Sequence, residues 1–150
     1  MPGRVTLEPA VAADAHALAD IRVEAMRDSL ERVGRFDPQR ARDRFLSAFS
    51  PACTRYILVD GAKAGFVVVR PESDGLRLDH LYVKPGHQGR GLGAAVLAQV
   101  FAQADQAACA VHVGALRESD SNRFYLRHGF VLVAQTEFDN HYVRPATKAR

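Results

Sequence analysis

The sequence predicts an α/β protein with a mixed, mostly antiparallel sheet flanked by about four helices. Three observations carry this expectation. Short β-branched and apolar runs alternate along the chain with stretches of helical period. Turn signals at Asp60-Gly61, Pro71 to Gly75 and Asp139-Asn140 tie neighbouring strands together as hairpins. The glycine-rich turn between Val83 and Gly93 instead leads from a strand directly into a helix, so the next strand must return by a crossover.

In chain order, Val5 to Glu8 reads as the first strand. Asp14 can cap a helix with Leu18, Ile21, Ala25 and Met26 on one face. Phe36-Asp37-Pro38 begins a second helix, with aspartate as N-cap and proline in the first turn. Its stripe of Ala41, Phe45, Ala48 and Phe49 ends before Pro51. Tyr56 to Val59 and Gly65 to Arg70 form a hairpin, and Leu76 to Val83 is the fourth strand. Leu92, Val96 and Val100, beside Leu97, Phe101 and Ala104, mark the third helix. Ala110 to Ala115 is a fifth strand and a short helix around Tyr125 follows. Phe130 to Phe138 then pairs with His141 to Arg144 across Asp139-Asn140. The order is βααβββαβαββ.

A chain of 150 residues, 47% hydrophobic and 25% charged, is expected to form one domain over residues 1–150 with an ordinary core. Twenty basic against 17 acidic residues leave a net charge of +3. That suits a polyanionic small ligand and does not argue for nucleic acid, which would want a concentrated basic face. Cys53 and Cys109 show neither C-x-x-C nor paired spacing, so no zinc site or disulfide framework is implied, and Cys109 reads as a small buried residue. No apolar stretch approaches a membrane span and the N-terminus lacks a signal-like core; a cytoplasmic protein is expected. Ala146 to Arg150 read as a polar tail.

The stretch Val83-Lys-Pro-Gly-His-Gln-Gly-Arg-Gly-Leu-Gly93 carries the chemistry. A strand, a glycine turn and a helix start aim unpaired N–H groups and a positive helix end at an anion. Glycine lets phosphate oxygens approach the amides and tolerates positive φ. Lys84, His87 and Arg90 add cations, so the loop is expected to bind phosphate. Gly89, Gly91 and Ala94 fit the dinucleotide fingerprint G-x-G-x-x-A, but no acid stands near residues 109–113 where a ribose partner would be needed. The P-loop pattern fails, since no Gly-Lys-Ser/Thr follows. Gln88, Gly91 and Gly93, with Gly89 and Arg90 between, meet the pattern Gln/Arg-x-x-Gly-x-Gly/Ala.

That last pattern resembles the acyl-coenzyme A pyrophosphate loop of the GNAT N-acetyltransferases. A second segment, Ser121-Asn-Arg-Phe-Tyr-Leu-Arg-His-Gly-Phe130, is similar to the family's late helix. Gly129 is also sensible as its C-cap, with Arg127 and His128 complementing the dipole. The match is clear over residues 76–145 and rests on element order alone before them. Many members carry an asparagine six or seven positions before the tyrosine; here those positions are Ser119 and Glu118, and Asn122 is not its equivalent.

The resemblance implies the GNAT acyl-CoA N-acyltransferase fold and direct acetyl transfer from acetyl-CoA, without a metal, to a primary amine. The pyrophosphate would sit on Gln88, Gly89, Arg90, Gly91, Leu92 and Gly93. A bulge near the end of the fourth strand, expected around Leu81, Tyr82 and Val83, would free backbone amides for the pantetheine arm and the thioester carbonyl. Tyr125 would act as general acid toward the leaving thiolate.

The base is open among Asp79, His80, His112, Glu137, His141 and a water chain; simple alternation puts Asp79 and His80 on opposite faces. Arg77 stands where some members place a glutamate, so that assignment does not transfer. The amine is open between a small molecule and a protein amino group, other acyl groups stay open, and the state is monomer or homodimer. A non-catalytic CoA-binding module is the alternative, and a nucleic-acid binder the third reading. A hydrolase is unsupported, since no G-x-S-x-G or H-x-x-x-H occurs. No membrane partner is expected.

Overall fold

A computed structural model describes residues 4–32 and 34–147; residues 148–150 of the expected tail lie outside them. The strands are β1 (Val5–Pro9), β2 (Thr54–Val59), β3 (Ala62–Glu72), β4 (Gly75–Val83), β5 (Ala110–Leu116), β6 (Val131–Gln135) and β7 (Asp139–Arg144). The α-helices are α1 (Ala15–Arg32), α2 (Pro38–Ala48), α3 (Leu92–Gln106) and α4 (Ser121–Arg127). The strands form one open sheet in the order β1-β2-β3-β4-β5-β7-β6. Every neighbouring pair is antiparallel except β4 and β5, which α3 joins by the crossover. The α/β class and the mostly antiparallel sheet are as expected.

Alternation along the strands feeds two cores. Val67, Leu76, Leu78, Val111 and Val113 face Val96, Leu97 and Val100 of α3 and Tyr125 of α4. Phe66, Val68 and Tyr56 face Leu18 and Ala19 of α1 and Phe45 of α2. Each helix thus covers the face that its apolar stripe selects. Asp37 caps α2 as expected, its carboxylate accepting from the Arg40 amide at 3.0 Å. At Asp60-Gly61 both residues have positive φ (50° and 85°), the conformation that a two-residue hairpin turn demands.

Four local expectations need correction. Asp14 is not the N-cap of α1. It ends a 3-10 turn (Ala12–Asp14), and its carboxylate reaches back to the Val11 amide at 2.9 Å. The third hairpin turn falls at residues 136–138, and β7 already begins at Asp139. Asn140 belongs to the strand because its side chain is needed inside: it accepts from Gln135 (2.7 Å) and donates to Asn122 (2.9 Å). Pro71 and Glu72 extend β3, narrowing the expected Pro71–Gly75 turn. Cys109 is half-buried rather than buried; both cysteines are free.

Candidate active site

The glycine loop is built as its residue types require. Pro85–His87 forms a 3-10 turn, Gly89 and Gly91 take φ of 77° and 75°, and Gly91 is the N-cap of α3. No amide from Gly89 to Ala94 has a protein acceptor among the described residues. These are the orphan donors of a helix start together with those of the turn before it. A Cβ at Gly89 or Gly91 would meet nothing within 4 Å, so space lies open over the amides. Gly93 differs: a Cβ there would stand 3.0 Å from Cζ of Phe124, and the missing side chain lets α4 pack on α3. The Gln88 side chain donates to the Val83 carbonyl (2.8 Å) and pins the loop to β4.

A cleft of about 570 Å³ lies between this loop and α4, walled by Val83, His87 and Leu92 on one side and Phe124, Arg127 and His128 on the other. His87 Nδ1 is buried without a hydrogen-bond partner. Arg90 is exposed, Lys84 half-buried and Leu92 is core. A second groove of about 690 Å³, along Leu7, Val69 and Gln103, contains none of the expected site residues.

The sheet opens beside the loop. Pairing of β4 with β5 stops at Leu78–Val113. Opposite, Leu78 pairs with Val69 and His80 with Val68, so Asp79 is the extra residue of a bulge. The bulge therefore sits at Asp79, ahead of the expected Leu81-Tyr82-Val83. Its consequence reaches those residues all the same. The Lys84 amide donates to Ala64 across β3 at 2.7 Å. By antiparallel alternation the amides of Leu81 and Val83 then face the open side, toward the notch between β4 and β5. Leu81 and Val83 pack their side chains toward α3, and Tyr82 toward α1 and α2.

The bulge also breaks the alternation expected of Asp79 and His80. Asp79 is ion-paired with Arg70 (2.7 Å), which also donates to the Ala48 carbonyl of α2. His80 stacks against Phe45 of α2, ring centroids 5.5 Å apart. Both therefore lie on the α1–α2 face. Burial, then the nearby Arg22 charge, pushes His80 down to about 3, so it is neutral at pH 7. Its Nδ1 has no hydrogen-bond partner. His141 sits over Gly114 on the same face, at the level of the notch. His112 is turned elsewhere, its Nε2 3.5 Å from Asp74 at the start of β4. Glu72, Asp74 and His112 hold three possible metal-ligating atoms within 4.8 Å, but Glu72 already carries Arg77 at 2.8 Å. Glu137 lies exposed in the last hairpin turn.

Tyr125 lies on the other face of the sheet, in the core beneath α3. Its ring is 7% exposed and packs edge-on against Phe130 at 5.4 Å. Burial pushes its hydroxyl up to about 12, against a smaller opposing effect of Arg22. The hydroxyl makes no hydrogen bond among the described residues, so it is uncommitted. Gly129 (φ 92°) ends α4, with the Phe130 amide bonding the Tyr125 carbonyl at 3.1 Å.

Asn122 fixes α4 in place. Its Nδ2 donates to the carbonyls of Leu116 (2.9 Å) and Ser119 (2.7 Å), and its Oδ1 accepts from Tyr142 (2.7 Å). This network, and the half-buried Arg22 on the sheet-facing side of α1, belong to no local sequence pattern. An asparagine with a polar partner on a later strand is visible only once the strands are placed.

Residues 52–132, just over half of the chain, match the family model described as the acetyltransferase (GNAT) domain. The chain belongs to the GNAT acetyltransferases. Solved structures agree in fold. The PaiA N-acetyltransferase of Thermoplasma acidophilum, solved with coenzyme A, is 13% identical, with a TM-score of 0.75 over 95% of this chain and 99% of that one. An acetyltransferase of Thermus thermophilus is 19% identical, with a TM-score of 0.74 over 97% and 99%. Ard1 of Thermoplasma volcanium is 18% identical, with a TM-score of 0.68 over 96% and 99%. Among curated proteins no sequence match was found. No helix of the described residues of this GNAT acetyltransferase is long and apolar enough to cross a membrane.

Proposed function

We propose that the protein transfers an acetyl group from acetyl-CoA directly to a primary amine. The observation that carries this is the row of unpartnered amides from Gly89 to Ala94, opening into a cleft that Val83, at the end of β4, helps to wall. Such a row, at a helix N-terminus with Lys84 and Arg90 close in sequence, suits a pyrophosphate. The free amides of Leu81 and Val83 continue the donor path toward the notch and would hold the pantetheine arm and polarise the acyl carbonyl. Bound acetyl-CoA supplies the activated acyl group as a thioester.

Tyr125 donates toward the leaving sulfur. A thiol has an ordinary pKa of about 8.5, so complete transfer from a phenol at about 12 runs uphill. The hydroxyl therefore works first as a hydrogen-bond donor to the developing thiolate, and Arg22 makes that donation easier. On the acceptor side, burial holds His80 too weakly basic to take the amine's proton, which leaves His141, directly or through water, for that role. Arg22, Arg44 and Arg70 outnumber Asp79 there, and surplus positive charge lowers an ammonium pKa, which favours the reactive free amine.

The test joins a calorimetric CoA titration with an acetyl-CoA turnover screen against amino acids, simple amines, polyamines and peptides. CoA binding and amine-dependent release of CoA thiol are expected. Absence of CoA binding would overturn the loop assignment. Binding without turnover on any amine would leave the chain as a CoA-binding module.

A further inference from the structure

We propose that the acceptor amine carries a carboxylate and that Arg22 is the residue that receives it. This rests on the transferase reading above and names the substrate class of the same site. Arg22 lies three and four residues beyond Ala19 and Leu18, both fully buried, and so shares the sheet-facing side of α1. Its neighbours in the field are Asp79 of the bulge, Tyr125 and Arg44. Tyr125 belongs to the core on the opposite face of the sheet, and Leu18 and Ala19 to the core on this one. The sheet parts after Leu78–Val113, beside Asp79. Arg22 therefore lies on the Asp79–His80 face, near enough for its charge to reach His80 and Tyr125.

Nearby, Arg70 holds Asp79 and Arg42 holds Asp20, while Arg44 is exposed to solvent. Among the described residues Arg22 makes no ion pair and no hydrogen bond, although it is only partly exposed and Asp79 is close enough to affect it. Arg70 has taken the Asp79 carboxylate. A partly desolvated guanidinium with five free donors is costly unless something anionic completes it. Among the described residues nothing does.

The charge around the notch points the same way. Arg22, Arg44 and Arg70 face a single acid, Asp79, while Glu24 is drawn to Arg27 at 3.3 Å and Asp20 to Arg42. A purely cationic amine would approach surplus positive charge. A carboxylate on the same molecule turns that repulsion into attraction and fits the planar guanidinium fork. The acceptor is thus an amino acid, or a peptide short enough to bring its own carboxylate to Arg22.

The experiment compares each amino acid with the amine that lacks only its carboxylate, and with the dipeptide that moves the carboxylate further out. Wild type, Arg22→Gln and Arg22→Lys are assayed. Wild type should favour the carboxylate by about tenfold or more in kcat/KM. In Arg22→Gln this ratio should fall to near one, mainly through KM, with Arg22→Lys between. CoA affinity of Arg22→Gln should match wild type. Amino-acid binding to the CoA complex is measured calorimetrically in parallel. If no amine turns over but amino acids bind and Arg22→Gln abolishes that binding, the carboxylate site stands and the transferase reading fails. A preference for carboxylate-free amines, a preference that survives in Arg22→Gln, or an Arg22→Gln defect confined to CoA affinity would overturn the proposal. So would the absence of both turnover and amino-acid binding. The free amino acid and dipeptide arms tell the two sources apart.

Discussion

On the α3–α4 face of the sheet, each candidate group lies within a short run of sequence. The loop amides come from residues 89–94, and Tyr125 stands four residues before the glycine that ends its helix. On the α1–α2 face the candidate groups come from four separate elements: Arg22 of α1, Arg70 of β3, Asp79 and His80 of β4, and His141 of β7. The first face presents hydrogen-bond donors with space above them. The second presents charges and rings that are mostly committed to one another, leaving Arg22 without a partner among the described residues. On the proposed reading, one face holds the fixed ligand and the other chooses among acceptors.

The sharpest way to break this comparison is Tyr125→Phe. The ring keeps its contacts with Phe130 and Tyr142, so stability should change little. Turnover should fall by about 10²-fold or more while CoA affinity holds, the lower range for loss of a positioned proton donor. Near wild-type turnover would move proton delivery to solvent and leave the amides of β4 with most of the work.

Two glycines of one loop should separate binding from packing. Gly91→Val places a side chain in the open space over the amides and should weaken CoA binding by about tenfold or more, with a strain cost of about 1–2 kcal/mol from its positive φ. Gly93→Val instead meets Phe124 and should cost stability by about 1–3 kcal/mol through displacement of α4. Calorimetry and thermal unfolding on the same samples read both. Equal effects of the two substitutions on CoA affinity would remove the distinction.

The smallest effect concerns His80. Its folded pKa of about 3 lies below the ordinary value of 6.5, so the unfolded chain binds a proton that the folded protein refuses. Stability from this group is present above pH 6.5 and is lost as pH falls toward 3. One pH unit is worth up to about 1.4 kcal/mol, or roughly 2 kcal/mol by pH 5. His80→Gln cannot titrate and should lose less stability than wild type between pH 7 and pH 5 in urea unfolding. Parallel pH profiles would show that His80 is not held neutral.

The sequence by itself determined the order of elements, the strand–glycine loop–helix arrangement, the Asp37 cap and the Gly129 stop, because each depends on residues within one turn or one hairpin. The same locality explains where it misled. Asp139-Asn140 has turn chemistry, yet Asn140 is drawn into β7 by Gln135 and Asn122. Simple alternation divides Asp79 from His80, yet β3 pairs around Asp79 and turns both to one face. Only the tertiary structure decided the bulge position, the pairing of Asp79 with Arg70, and the place of Arg22 across the parted sheet from Tyr125. Those are relations between strands and helices distant in the chain, set by register and packing, and no run of neighbouring residues encodes them.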